Sequence, residues 1–284
     1  MEISAKRQIK KARKFKKKYK VGLCLSGGGT RGFSFLGAFK AFEDCGISFD
    51  AVAGTSAGSL FGALYSTGIK YEDMYSLTYG LKDKDFRNSK LGILPSKMDN
   101  LQELIRKYMP VSRIEELPIP FYAVAVDLKT GNEIHFNKGD LSKVITGSCA
   151  IPGIFAPVKY KNYTLVDGGV TNNVPADVLR LNGCDFVVTI DCNITRGRGT
   201  TSENLFRQFN ACIGIMTAQN VKKGHKFSDI IVCPKLEGFN SLKIKGKNDM
   251  IKEGYRATME AMPQIKDLFL GKFKRKNAPR KKES

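Results

Sequence analysis

The sequence predicts an α/β protein built on a mainly parallel sheet. Two observations carry this. The first 60 residues spell strand, glycine loop, helix, strand, serine turn, helix. The segments that read as strands, at 21–26 and 186–190 above all, are almost wholly apolar and barely alternate, as in strands buried on both faces.

At 284 residues, with 42% hydrophobic and 26% charged residues, the chain can bury one full core. No apolar run approaches the roughly 20 residues that span a bilayer. The basic N-terminus is followed by too short an apolar stretch, and by no small-residue cleavage site, to be a secretory signal. Seven cysteines with no C-x-x-C favour free thiols over disulfides or a zinc site, so a cytoplasmic home is expected. The net charge of +20 is uneven. Residues 1–20 hold ten Lys/Arg and one Glu, residues 271–284 seven Lys/Arg and one Glu, which leaves +5 for the 250 residues between. We therefore divide the chain into a basic arm (1–20), one folded domain (21–270) and a basic tail (271–284). The arm is crowded with like charge and reads as solvated. Its functional reading is attachment to an anionic surface, and its bland reading is solubility.

In order, strand 21–26 runs into Gly27-Gly28-Gly29-Thr30-Arg31-Gly32, and a helix at 33–45 follows, closed by Gly46. The strand ending near Ala53 leads to Gly54-x-Ser56-x-Gly58 and a helix at 57–66 with Leu60, Phe61, Ala63 and Leu64 apolar. This is the nucleophile-elbow pattern: a sharp strand-to-helix turn lifts a serine hydroxyl clear of the sheet above a helix N-terminus. Residues 70–110 are polar and helical in places, with an apolar patch at 91–95. Residues 121–128 and 133–137 form a hairpin about the turn at 129–132. A short helix at 141–150 precedes a proline-punctuated loop through 158. A strand at 163–166 ends in Asp167-Gly168-Gly169, and Pro175 opens a helix. A helix at 204–221, a strand at 229–233 and a helix at 248–270, kinked near Pro263, complete the chain.

The glycine loop matches G-x-G-x-x-G, so a dinucleotide site competes. That site wants an acidic residue at the end of the second strand, where this chain has Ala53-Gly54-Thr55-Ser56. Gly-Lys-Ser/Thr is missing from both loops, so a P-loop is also disfavoured. What remains is a loop of backbone N–H groups before a serine elbow, as an oxyanion hole requires. A serine needs a base. The order Ser56, Asp167, His225 leaves a triad open, but His225 lies in the basic run Lys222-Lys223-Gly224-His225-Lys226 and is expected to be exposed. His135 lies in the polar hairpin. Asp167 acting directly on Ser56 is the preferred reading.

These stretches together resemble the patatin-like phospholipase family, in the bacterial branch similar to the catalytic domain of neuropathy target esterase. Gly27 to Gly32, including Thr30 and Arg31, resembles the family's oxyanion loop; Gly54 to Gly58 its elbow; Asp167-Gly168-Gly169 its D-G-A/G motif. The block from Gly147 to Pro157 and Asn172-Asn173-x-Pro175 resemble further family segments. The resemblance implies a three-layer α/β/α sandwich with a mainly parallel central sheet. It implies a Ser56–Asp167 dyad, an oxyanion hole of Gly27, Gly28, Gly29 and Ala57, ester hydrolysis of phospholipids or lysophospholipids, and no metal or other cofactor. Cys149 stands where relatives carry a smaller residue, with no consequence expected. The rival classes are a nucleotide- or nucleic-acid-binding protein and a silent membrane adaptor on the same fold.

Overall fold

A computed structural model describes residues 19–83, 96–193 and 205–273. The arm to residue 18, the apolar patch at 91–95 and the tail from residue 274 lie outside the described residues. The strands are β1 (Val21–Leu25), β2 (Ala51–Thr55), β3 (Phe121–Asp127), β4 (Glu133–Phe136), β5 (Val158–Tyr160), β6 (Tyr163–Asp167), β7 (Phe186–Ile190) and β8 (Ile230–Val232). The helices are α1 (Phe33–Asp44), α2 (Ala57–Ser66), α3 (Tyr71–Tyr79), α4 (Asp99–Tyr108), α5 (Leu141–Ser148), α6 (Ala176–Leu181), α7 (Leu205–His225) and α8 (Lys247–Phe269).

One sheet runs β5-β6-β3-β2-β1-β7-β8, with β4 also on β3. Strands β3, β2, β1, β7 and β8 are mutually parallel. Strands β4 and β6 each pair antiparallel with β3, and β5 pairs antiparallel with β6. Successive side chains of a strand point to opposite faces, and here both faces are apolar. Val21, Leu23, Leu25, Val52, Val188 and Ile190 join the large core with α1, α2 and α8. Cys24, Ala51, Ala53 and Val187 join a second core with Val178 and Leu179 of α6 and Val221 of α7. Two cores on one sheet make the three layers, and explain why these strands read as unbroken apolar runs.

Several expectations shift. The expected loop near residue 158 contains β5, three residues paired antiparallel with β6. Helix α7 continues four residues past its expected end, to His225. Pro263 lies inside α8 without ending it. Tyr19 and Phe273, assigned to the tails by sequence, both pack edge-on against Phe186, with centroids 5.3 and 6.1 Å away. The folded body therefore reaches from 19 to 273. Among the described residues no helix is long and apolar enough to cross a membrane.

Candidate active site

Strand β2 enters α2 through Ser56 alone, at φ 52° and ψ −123°, a conformation that costs a non-glycine residue on the order of 1–3 kcal/mol. The turn is this tight because two glycines let backbones touch: a Cβ on Gly54 would strike the carbonyl of Gly58, and one on Gly58 the carbonyl of Leu25. Hydrogen bonds hold the strained residue. The Ser56 N–H donates to Ser148 Oγ at 2.9 Å, and that hydroxyl donates to the Val124 carbonyl at 2.6 Å. The Ser59 hydroxyl donates to the Ser56 carbonyl at 2.7 Å.

Strand β3 brings Asp167 to this serine. Ala123 lies opposite both Gly54 of β2 and Phe136 of β4, and Ala125 opposite both Ile134 of β4 and Asp167 of β6. Since β4 faces both, β2 and β6 share the other edge of β3. They run in opposite directions, so their C-terminal ends meet head-on at the step from Val124, opposite Thr55, to Ala125, opposite Asp167. The meeting is close: a Cβ on Gly168 would strike the Val124 carbonyl.

Ser56 stands beside the Asp167 carboxyl, lines the same cavity and lowers its pKa. Asp167 Oδ1 accepts from the Gly169 N–H at 2.7 Å. The side chain is buried, and desolvation raises its pKa to about 6, against the lowering effects of Ser56 and of the Gly169 N–H. A group that accepts a proton must be ionised first. A reaction in which Asp167 takes the Ser56 proton is therefore expected to rise tenfold per pH unit below about 6 and to level off above it. A kcat/KM profile from pH 4.5 to 8 on an uncharged ester checks this, and a profile flat through pH 6 would remove Asp167 from the proton path.

The glycine loop crosses above β1. The N–H groups of Gly28, Gly29 and Ala57 donate to no protein acceptor among the described residues. Gly27 departs from expectation, because its N–H is committed to the Asn173 carbonyl at 3.0 Å. The candidate oxyanion donors therefore narrow to Gly28, Gly29 and Ala57. The following residues clamp the loop: the Thr30 N–H donates to the Ser241 carbonyl, its hydroxyl to that of Asn240 at 2.8 Å, and Arg31 through Nε and Nη2 to that of Phe239 at 3.2 Å each. Gly32 closes against the side chains of Ala57 and Phe61.

Two cavities meet at Ser56. One of about 320 Å³ is walled by Arg31, Asp167, Asn173, Asn193, Lys222 and His225, among others. A smaller one of about 80 Å³ is lined chiefly by apolar side chains, among them Phe33, Leu60, Phe61, Met98, Leu101 and Phe155. Gly29, Ile151, Ser241 and Leu242 line both. The larger cavity opens where the strand order reverses, with β2 on one side of β1 and β7 on the other. Ligands in open α/β sheets bind at such a switch point, beyond the C-terminal ends of the strands.

Residues 23–180 match the family profile described as patatin-like phospholipase. The chain belongs to the patatin-like phospholipase family. It is 32% identical over 179 residues to an uncharacterized NTE family protein of Mycobacterium tuberculosis, covering 61% of this chain and 49% of that one. It is 30% identical over 186 residues to patatin-like phospholipase domain-containing protein 6 of Mus musculus, covering 60% of this chain and 13% of that one. The chain spans about half the length of the first of these relatives or less. Its fold is also that of VipD from Legionella pneumophila, at TM-score 0.58 and 15% identity, covering 86% of this chain and 67% of that one.

In this patatin-like fold the sequence-expected residues Ser56, Asp167, Gly28, Gly29 and Ala57 converge. Gly54, Gly58, Gly168 and Gly169 shape their turns, and Thr30, Arg31 and Gly32 anchor the loop. Cys149 lies buried beside the site, its Sγ 3.9 Å from Ser59 Oγ, and burial pushes its thiol pKa well up. His135 pairs with Glu133 at 2.6 Å and lines neither cavity. His225 is not the exposed residue expected: it ends α7, is partly buried, and sits 2.7 Å from the buried Asp191. Sequence reading missed Asp191 and Asn193 altogether. A lone aspartate after an apolar strand is the signal that could have found them.

Proposed function

We propose that the chain is a serine lipid acyl hydrolase, cleaving ester bonds of phospholipids or lysophospholipids through a Ser56–Asp167 dyad. The observation that carries this reading is the strained Ser56, set beside the buried Asp167 carboxyl and lining both a larger cavity that carries Arg31, Lys222 and His225 and a smaller apolar one. Family membership supports the lipid class of substrate.

In this mechanism Asp167 takes the hydroxyl proton as Ser56 Oγ attacks the ester carbonyl. The N–H groups of Gly28, Gly29 and Ala57 hold the oxyanion that forms. Collapse breaks the ester C–O bond, and Asp167 returns the proton to the leaving alcohol. Water then gives a proton to Asp167 and attacks the acyl-serine. Collapse of the second tetrahedral intermediate releases the fatty acid, and the proton on Asp167 returns to Ser56. The serine proton leaves on the alcohol and a water proton replaces it, so Asp167 ends each cycle ionised and one carboxylate suffices. The test is incubation with phospholipids and lysophospholipids, with mass spectrometry of released fatty acids. Release from none of them, together with no labelling by a fluorophosphonate, would leave a silent adaptor as the better reading.

The basic tails extend the proposal to an anionic membrane surface, with the protein peripheral to the inner leaflet of a reducing compartment. Tyr19 and Phe273 flank Phe186 at the start of β7, so both tails leave from the sheet end opposite the cavity. Basic residues near an anionic leaflet contribute about 1 kcal/mol each. A chain trimmed to residues 19–273 is expected to lose most binding to vesicles containing phosphatidylserine, while its turnover of a short soluble ester stays unchanged. Salt should weaken the full chain's binding more, since screening acts on exposed charge. Co-sedimentation at low and high salt measures this. Equal binding by both forms would make the tails merely solubilising, and duplex DNA outcompeting vesicles would favour a nucleic-acid partner.

A further inference from the structure

The larger cavity has one wall that the dyad does not use. Gly214, Thr217, Ala218, Val221, Lys222 and His225 of α7 all line it, a spacing that places them on one stripe of the helix. The stripe is fixed against the Asp167 turn: Asn220 Nδ2 donates to the Val170 carbonyl at 2.9 Å, and Thr217 Oγ1 to that of Gly169 at 3.4 Å. Two cationic-type side chains of this stripe thus stand at a set position relative to Ser56.

Behind His225 lies Asp191, fully buried just past the end of β7. A buried carboxylate is costly unless its oxygens are bonded. Both are. Oδ1 accepts from the Asn193 backbone N–H at 2.9 Å and from its side-chain amide, and Oδ2 faces His225 Nε2 at 2.7 Å. The pair fixes the imidazole ring, and Nδ1 is left as the ring nitrogen with no protein partner among the described residues. Lys222, three residues earlier, pairs with no carboxylate among the described residues. Of the carboxylates among the described residues, only Asp167 lines this cavity, whereas Lys222, His225 and Arg31 all do. The apolar cavity contains none of those three.

We propose that Lys222 and His225 form a phosphate-recognising subsite for the substrate's head group, with Asp191 as a positioning residue for His225. The Asp191 carboxylate holds Nε2, and Nδ1 is left to meet a phosphate oxygen. Lys222 adds a second charge-assisted donor. The ester then lies at Ser56 between a cationic wall for the phosphate and an apolar lobe for the acyl chain. Within the proposed substrates, the phosphate on the alcohol side is the group that this wall reads. This rests on the hydrolase reading for its biological sense, but the subsite is testable without turnover.

The experiment uses the full chain carrying Ser56→Ala, so that ligand survives. Calorimetry compares a monomeric 1-acylglycerol 3-phosphate with the 1-acylglycerol of the same chain. The phosphate-bearing lipid is expected to bind at least tenfold more tightly. Adding Lys222→Gln or His225→Gln should shrink that preference to threefold or less, with the acylglycerol affinity little changed. Lys223→Gln removes the same charge from the next residue, which does not line the cavity, and should leave the preference intact. Asp191→Asn should act in the same direction as His225→Gln, and in the otherwise wild-type enzyme both should raise KM for the phosphate-bearing lipid more than they lower kcat. Equal affinities for the two lipids in the Ser56→Ala chain would overturn the subsite. So would a preference that Lys223→Gln weakens as much as Lys222→Gln. Failure of the hydrolase reading looks different: a wild-type chain that binds with this preference yet cleaves neither lipid.

Discussion

Ser56→Ala and Asp167→Asn are each expected to leave less than about a thousandth of wild-type turnover on any ester the protein cleaves, because in the proposed mechanism the two act as a unit. The two variants should part company in stability. The Asp167 carboxyl has a folded pKa of about 6, above that of an aspartate in an unfolded chain. Its contribution to stability is therefore fully present below about pH 4 and is lost as pH rises through about 6. An amide at this position has no charge to desolvate and keeps an oxygen to accept from Gly169. Asp167→Asn should thus melt higher than wild type at pH 8, by an amount on the order of 2–3 kcal/mol at most, and the difference should vanish near pH 4. Thermal melts at both pH values and kinetics on a soluble ester check the pair of effects. Near-wild-type turnover in either variant would sink the dyad. A lower melting point for Asp167→Asn at pH 8 would mean that the carboxylate's hydrogen bonds outweigh its burial.

The second large effect belongs to the oxyanion loop. An added Cβ at Gly28 would strike the sulfur of Cys192, while other Cys192 atoms stay at ordinary contact, 3.7 Å. Cys192 is fully buried and its Sγ is held near the Gly27 carbonyl and Ser26 Oγ, so it has little room to yield. The loop must shift instead, carrying the Gly28 and Gly29 N–H groups off the position where the oxyanion forms. Gly28→Ala is therefore expected to lower kcat by about 100- to 1,000-fold, the usual cost of one lost donor. Cys192→Ala removes the atom in the way. The double variant Gly28→Ala/Cys192→Ala should recover at least tenfold of the loss, a coupling that independent sites would not show. Full activity in the single variant would move the oxyanion donors away from Gly28. A double variant no better than the single one would assign the loss to something other than this contact.

The elements of this protein that the sequence alone determined are those whose physics is local. The elbow at Gly54-x-Ser56-x-Gly58 is written in five residues, because only glycines allow the backbone contacts that the turn makes. Helix α2 from Ala57 to Ser66 matches its apolar spacing, and Gly46 ends α1 with a positive φ where the breaker was expected. Strand β1 was legible as central because both of its faces are buried, which leaves an unbroken apolar run. Tertiary structure decided what depends on residues far apart in the chain. No local pattern says that β6 shares an edge of β3 with β2, yet that pairing, across more than a hundred residues, is what sets Asp167 against Ser56. Strand β5 escaped notice because three partly exposed residues carry no periodicity, and only β6 supplies its hydrogen bonds. The Gly27 N–H looked available until Asn173, 146 residues on in the chain, took it. His225 read as exposed because its neighbours are basic. It is drawn inward because Asp191, carried to the end of β7, needs a partner for a carboxylate that no water reaches.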